Sequence, residues 1–69
     1  VGLPPAVLAE GITIELFTKN TELQPENARA WFDLGTAYYN NQQPTEAEQA
    51  FQYARQLDPD IDRKVREGN

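Results

Sequence analysis

The chain contains no cysteine and no histidine. Without thiols or imidazoles it has no disulfides, no cysteine nucleophile, no zinc site of the usual kind and no imidazole acid–base group. It also lacks any apolar run that approaches the roughly 20 residues a membrane-spanning helix needs. These absences leave the redox compartment open, but they exclude several catalytic and metal-dependent classes and predict no membrane insertion.

Basic residues are few, since six Lys and Arg stand against eleven Asp and Glu, which gives a net charge of −5. An acidic surface of this kind argues against a nucleic-acid partner, whose phosphates require a basic face. The sequence begins Val-Gly-Leu-Pro-Pro, without Met and without the charged and apolar regions of a signal peptide. We therefore expect a piece of a longer protein, soluble and, by a narrow margin, cytoplasmic.

Apolar residues recur at spacings of three and four, which predicts an all-α fold. The first helix is expected from Ala6 to Leu23, with Gly11 as a weak point in its middle. The second is expected from Ala28 to Asn40. Asn27 precedes it and can accept hydrogen bonds from the first unpaired backbone N–H groups.

The start of the third helix has two candidate signals. Thr45 and Glu48 form the pattern of a capping box, whereas Pro44 suits the first turn and would place the start one residue earlier. A short fourth helix is expected after it, with Asp58 as its cap and Pro59 in its first position. The fold is therefore predicted as three main helices and a short C-terminal helix.

One segment carries a fixed series of aromatic, small and proline residues, with the spacing W-x2-L-G-x2-Y, A-x3-F and a closing proline. The matching residues are Trp31, Leu34, Gly35, Tyr38, Ala47, Phe51, Ala54 and Pro59. Residues 28–61 thus resemble a complete tetratricopeptide repeat, a 34-residue helix–turn–helix unit. The resemblance implies that these residues pack two antiparallel helices together.

The chain also resembles itself when it is shifted by 34 residues. The pairs that match are Phe17 with Phe51, Leu23 with Leu57, and Pro25 with Pro59. We therefore interpret residues 6–25 as the second helix of a partial or degenerate repeat and residues 59–67 as a capping helix. The whole chain, 1–69, would be one domain, an α-solenoid fragment of about one and a half repeats. Since about three repeats are normally needed for stability, we expect neighbouring repeats or another chain to complete the core.

The resemblance also implies where a partner would bind, because the first helix of each such repeat lines a concave groove. The residues that correspond to this groove are Arg29, Phe32, Asp33, Thr36, Tyr39 and Asn40. Phe32 and Tyr39 could anchor a partner, or could pack against the first helix or a missing neighbour, and the sequence leaves both open. One subclass grips a C-terminal carboxylate with Lys, Asn and Arg. Here Phe32 and Thr36 replace such residues and Asp33 would repel a carboxylate, so we expect no such grip.

The leading hypothesis is a protein–protein interaction module of a scaffold or assembly factor, which binds a peptide or a partner helix. The alternative is a homo-oligomerisation module that completes its solenoid with another chain. Its expected contacts are Leu8, Ile12, Leu16, Ile61 and Val65. A third, more remote hypothesis is a regulatory appendage of an enzyme.

Few side chains in the sequence suggest chemistry. Asp58, Asp60 and Asp62 alternate, but they lack the glycine and closing glutamate of a calcium loop, and helix capping explains them better. Glu46 and Glu48 lie two residues apart on a helix, so they do not face each other as a catalytic pair would. We therefore predict no enzyme activity, no cofactor and no metal.

Overall fold

The structure, a computed structural model, describes the backbone of residues 5–68 and the side chains of residues 13–68. It contains four helices, α1 (Pro5–Leu23), α2 (Ala28–Asn40), α3 (Pro44–Leu57) and α4 (Ile61–Arg66), and no strand among these residues. The all-α prediction is confirmed, and α1 continues through Gly11 without a break. No helix in the described part of the chain combines the length and apolar character needed to cross a bilayer.

α2 is the central element of the fold. It packs against α1 on one side and α3 on the other, while α4 touches both α2 and α3. Within the described residues, α1 contacts no helix other than α2. The buried core therefore lies along α2, and each of the other helices packs part of its surface against α2.

Asn27 caps α2 as its sequence predicts. Its extended backbone turns the side chain towards the helix, where Oδ1 accepts hydrogen bonds from the N–H groups of Arg29 at 3.0 Å and Ala30 at 3.4 Å. The Asn27 amide also donates to Gln24 Oε1 at 2.7 Å. These bonds satisfy donors that the helix itself leaves unpaired and fix where α2 begins.

The turn between α2 and α3 needs a left-handed residue, which is Gln42 with φ of 62°. Its N–H donates to the Tyr39 carbonyl at 3.1 Å, and the N–H of Gln43 donates to the Tyr38 carbonyl at 2.9 Å. This is the pair of bonds that closes a helix C-terminus in a Schellman motif. The short turn reverses the chain, so α3 runs back along α2.

The capping box predicted at Thr45 and Glu48 is wrong. α3 already begins at Pro44, and Gln43 is its cap without a side-chain hydrogen bond to the backbone. Proline suits the first helical position because its φ is fixed and it has no N–H to satisfy, so the helix starts one residue earlier. Thr45 therefore lies inside the helix, and Glu48 accepts a hydrogen bond from Gln52 instead.

The predicted start of α4 is also wrong, since α4 begins at Ile61 and not at Pro59. Asp58 ends α3 with an extended backbone, and its Oδ1 accepts from the Asp60 N–H at 3.0 Å. Its other oxygen accepts from Lys64 Nζ at 2.6 Å. This bond to Lys64, and then the one from the Asp60 N–H, lower the pKa of Asp58 below its ordinary value. Pro59 and Asp60 form a turn before α4, closed by the hydrogen bond from the Ile61 N–H to the Asp58 carbonyl at 3.0 Å.

α4 is held mainly by one apolar side chain. Ile61 is buried against Ala28 and Ala54, with Val65 packed beside them. The ion pairs of α4, such as Arg55 with Asp62 at 2.9 Å, join largely exposed side chains and contribute little on their own. α4 thus covers the end of the α2–α3 pair through Ile61.

The close approach of α2 and α3 depends on small residues. Ala47, Ala50 and Ala54 form the buried stripe of α3, and Gly35 lies opposite on α2. A Cβ atom at Gly35 would lie 2.6 Å from Phe51 Cε1 and 3.2 Å from the Ala47 carbonyl oxygen. No side chain fits at this position unless the Phe51 ring or α3 shifts.

We expect Gly35→Ala to destabilise the fold by about 1 kcal/mol. Alanine would gain about 1 kcal/mol in helix propensity, but overpacking costs about 1–3 kcal/mol. The Phe51 ring cannot move freely because it packs against the Phe32 ring, with 4.9 Å between ring centroids and 49° between ring planes. Urea denaturation followed by circular dichroism measures the change. Thr36→Ala, at the exposed next position, is the control and should leave stability nearly unchanged; a gain for Gly35→Ala would contradict the packing argument.

Candidate partner-binding face

The six residues that correspond to a groove all lie on α2, and they are called here the α2 groove face. They are Arg29, Phe32, Asp33, Thr36, Tyr39 and Asn40. The structure distinguishes between the two aromatic residues of this face. Phe32 is half-buried, since its ring packs at a tilt against Phe51 of α3 and also against the cluster around Ile61. Phe32 thus packs within the complete repeat and against the cluster that Ile61 of α4 completes.

Three further residues of the α2 groove face are engaged with their own helix. Arg29 Nε donates to Asp33 Oδ1 at 3.0 Å, one helical turn away. The Thr36 hydroxyl donates to the Phe32 carbonyl at 3.1 Å. A partner would meet these groups as a neutralised ion pair and a satisfied hydroxyl, which gives this half of the face little net charge.

Tyr39 and Asn40 form the exposed end of the α2 groove face. Tyr39 remains 66% exposed although it is a large aromatic residue, and Asn40 is exposed beside it. Within the described residues, neither side chain makes a hydrogen bond, an ion pair or a ring contact. The face therefore ends in an accessible ring next to an amide that can both donate and accept.

A second aromatic pair lies between α2 and α3, and the sequence analysis missed one of its members. Trp31 and Tyr53 approach to 4.3 Å between ring centroids, and Trp31 Nε1 donates to the Pro25 carbonyl at 2.9 Å. The pair borders a groove of about 260 Å³ that Tyr38 and Ala50 also line. The repeat signature gives no role to Tyr53; its only signal is that it follows the buried Ala50 by three residues.

A hollow of about 720 Å³ lies where α4 meets the start of α2. Its charged side chains have both signs, with Glu26 and Asp58 opposing Arg29 and Lys64. Asp58 and Lys64 are already paired with each other at 2.6 Å. The hollow therefore has no excess of one sign that would select a charged ligand.

The three alternating aspartates at the end of the chain each pair with a basic residue. The pairs are Asp58 with Lys64, Asp60 with Arg63, and Asp62 with Arg55. Among the side chains of residues 13–68, no group of three or more acidic residues could hold a metal ion. These aspartates thus connect α4 to its surroundings.

Of the residues expected to mediate self-association, the structure buries some and exposes others. Ile61 is 4% exposed and Val65 is half-buried, both inside the chain's own core. Leu16 is 61% exposed. The side chains of Leu8 and Ile12 lie outside the described residues. Only Leu16 among the described contacts is therefore available to another molecule.

Comparison with known families decides the identity of the helical pair. The model of the family described as tetratricopeptide repeat matches residues 28–61, which include α2, α3 and the first residue of α4. α2 and α3 together thus form one tetratricopeptide repeat. The match has the length and position that the signature predicts, and tetratricopeptide repeats generally mediate protein–protein interactions. Comparisons with curated proteins and with solved structures give no match.

Proposed function

We propose that this chain is a protein–protein interaction module that binds a peptide or a partner helix along the α2 groove face. Tyr39 is its principal anchor and Asn40 supplies the adjacent polar contact. The observation that carries this proposal is the 66% exposure of Tyr39, on a face whose other aromatic residue, Phe32, is packed against Phe51. Tyrosine is favoured at binding hot spots because its rigid ring offers a large contact area at a low entropy cost.

The charges of the chain restrict the chemistry of the partner. The net charge of −5 favours a neutral or basic segment over an acidic one. On the groove face itself the Arg29–Asp33 pair cancels, so the anchor contact is expected to be apolar. A segment with one apolar side chain for Tyr39 and backbone groups for Asn40 fits this arrangement.

We expect Tyr39→Ala to weaken binding of a cognate peptide at least tenfold, about 1.4 kcal/mol or more. A displayed peptide library selected on the wild-type chain supplies the peptide, and fluorescence anisotropy gives its Kd. Tyr39→Phe should retain most of the affinity because the ring remains. Tyr53→Ala is the matched control, a tyrosine on another helix, and should bind normally if circular dichroism shows it folded. Equal binding by Tyr39→Ala and wild type would refute the groove assignment.

A further inference from the structure

The groove that the Trp31–Tyr53 pair borders is formed within a single repeat, and it is called here the aromatic groove. Its volume is about 260 Å³. All the residues that line it belong to α2 or α3, and they are Trp31, Leu34, Tyr38, Glu46, Gln49, Ala50 and Tyr53. None of them is a member of the α2 groove face. The aromatic groove is therefore a separate surface that needs no neighbouring repeat to complete it.

The aromatic groove has two different ends. α2 and α3 run antiparallel, so Trp31 faces Tyr53 at one end, where their ring centroids are 4.3 Å apart. Tyr38 and Glu46 lie at the other end, beside the turn that joins the two helices. Seven residues separate Trp31 from Tyr38, which corresponds to about 10 Å along the helix. The groove is therefore long enough to hold one long side chain.

The interior of the groove is apolar, and the fold holds its aromatic wall in place. Leu34 and Ala50, which are 4% and 5% exposed, form the floor. The Trp31 indole is fixed by its hydrogen bond to the Pro25 carbonyl at 2.9 Å and by its contact with Tyr53. Tyr53 is nevertheless 44% exposed. A ligand can therefore reach aromatic surface without a movement of either helix.

The charge of the aromatic groove has one sign. Glu46 is the charged member of its lining, and none of the six basic residues of the chain lines it. Gln43 Nε2 donates to Glu46 Oε2 at 3.1 Å, but within the described residues Glu46 forms no ion pair. The dipoles of α2 and α3 oppose each other here, because one helix ends where the other begins. The carboxylate of Glu46 therefore makes this end of the groove negative.

We propose that the aromatic groove binds an arginine side chain of a partner protein. Aromatic rings attract cations through their negative faces, and a nearby carboxylate adds to this attraction. The guanidinium group fits best because it is planar, stacks on aromatic rings and donates several hydrogen bonds at once. The acceptors that line the groove are the Glu46 carboxylate, the Gln49 carbonyl and the hydroxyl groups of Tyr38 and Tyr53.

Other ligands match fewer features of the aromatic groove. A lysine ammonium is a compact and strongly hydrated charge, which costs more to bring against an apolar floor. A quaternary ammonium attracts aromatic rings but has no N–H, so it would leave Glu46 and Gln49 without a donor. An anion would be repelled by Glu46. The net charge of −5 also favours a basic segment as the partner.

NMR titration of the full, isotope-labelled chain tests the proposal. Trp31 is the one tryptophan of the chain, so its indole N–H gives a single signal at the groove. The probe is the peptide acetyl-Gly-Gly-Arg-Gly-Gly-amide, and the control peptide has neutral citrulline, which has nearly the same shape, in place of arginine. We expect the arginine peptide to shift the indole signal saturably, with a Kd in the millimolar range, because exposed cation–π contacts and ion pairs are individually weak. The citrulline peptide should shift it little.

Two substitutions separate the contributions of charge and of aromatic surface. Glu46→Gln and Tyr53→Ala should each raise the Kd of the arginine peptide by about two- to fivefold. Glu48→Gln is the matched control, since it removes the same charge from the same helix at a residue that does not line the groove. It should leave the Kd unchanged. Tyr39→Ala should also bind normally, which distinguishes this proposal from the α2 groove face.

Four results would overturn the proposal. Equal binding of the arginine and citrulline peptides would show that the positive charge has no role. Equal effects of Glu46→Gln and Glu48→Gln would indicate general attraction to an acidic surface. An unchanged Kd in Tyr53→Ala, with its fold verified by circular dichroism, would place the peptide elsewhere. Tighter binding of free arginine than of the peptide would make the amino acid, and not a protein side chain, the ligand.

Discussion

Leu34→Ala is expected to lower the free energy of unfolding by about 2–5 kcal/mol, the usual range for removing a buried leucine side chain. Leu34 is 4% exposed and lies on α2, which every other helix contacts. Small domains have stabilities of roughly 0.05–0.15 kcal/mol per residue, or about 3–10 kcal/mol for a chain of this length. The variant should therefore lose much of its helicity at room temperature.

Urea denaturation followed by circular dichroism measures this loss. Leu57→Ala removes the same atoms from a side chain that is 37% exposed, so it is the matched control and should cost clearly less. A similar loss in both variants would mean that α2 is not the centre of the core. A changed dependence on urea in Leu34→Ala would instead indicate a less compact native state.

The repeat signature predicted the arrangement of the helices because its information is local. Spacings of three and four place apolar residues on one side of each helix, and Asn27 identifies the start of α2 from its side chain alone. The bounds of α2 are those predicted. Helical periodicity and capping depend only on residues that are close in sequence, so they can be predicted from a single sequence.

The errors occurred where two local signals competed or where a distant residue decided. Both Thr45 and Pro44 can begin a helix, and the structure uses the proline. Asp58 accepts from the Asp60 N–H as a cap would, but its other oxygen pairs with Lys64, six residues away, and α4 begins only at Ile61. Spacing alone could not predict this ion pair, since it forms only when α4 folds back on the turn.

In the candidate site, too, local periodicity was predictable and a contact between distant residues was not. Phe32 and Tyr39 are seven residues apart and lie on one side of α2, so periodicity treats them alike. The structure separates them because Phe51 reaches Phe32 and not Tyr39. The spacing of residues therefore could not predict that Phe32 packs against Phe51. A variant that removes both the Phe32 and the Tyr39 rings would change stability as well as binding, so its effect on binding alone could not be measured.

Ala54→Leu is expected to destabilise the chain by about 2–3 kcal/mol. Ala54 is 0% exposed and touches Ala28 and Ile61, so added methylene groups have no space. Overpacking of this kind costs about 1–3 kcal/mol. Release of α4 would relieve the strain, but it would expose Ile61, whose burial contributes about 1.5–3 kcal/mol. Both routes therefore cost a similar amount, and relaxation cannot make the substitution neutral.

Hydrogen exchange identifies which route Ala54→Leu takes. The N–H groups of Lys64 and Glu67 bond to the carbonyls of Asp60 and Arg63 within α4, both at 3.0 Å. If α4 is released, these two amides should exchange faster while those of α2 remain protected; if α3 is strained instead, protection should fall throughout. Gln56→Leu adds a leucine at an exposed site of the same helix and is the control. An Ala54→Leu variant as stable as Gln56→Leu would show that α4 does not close the core.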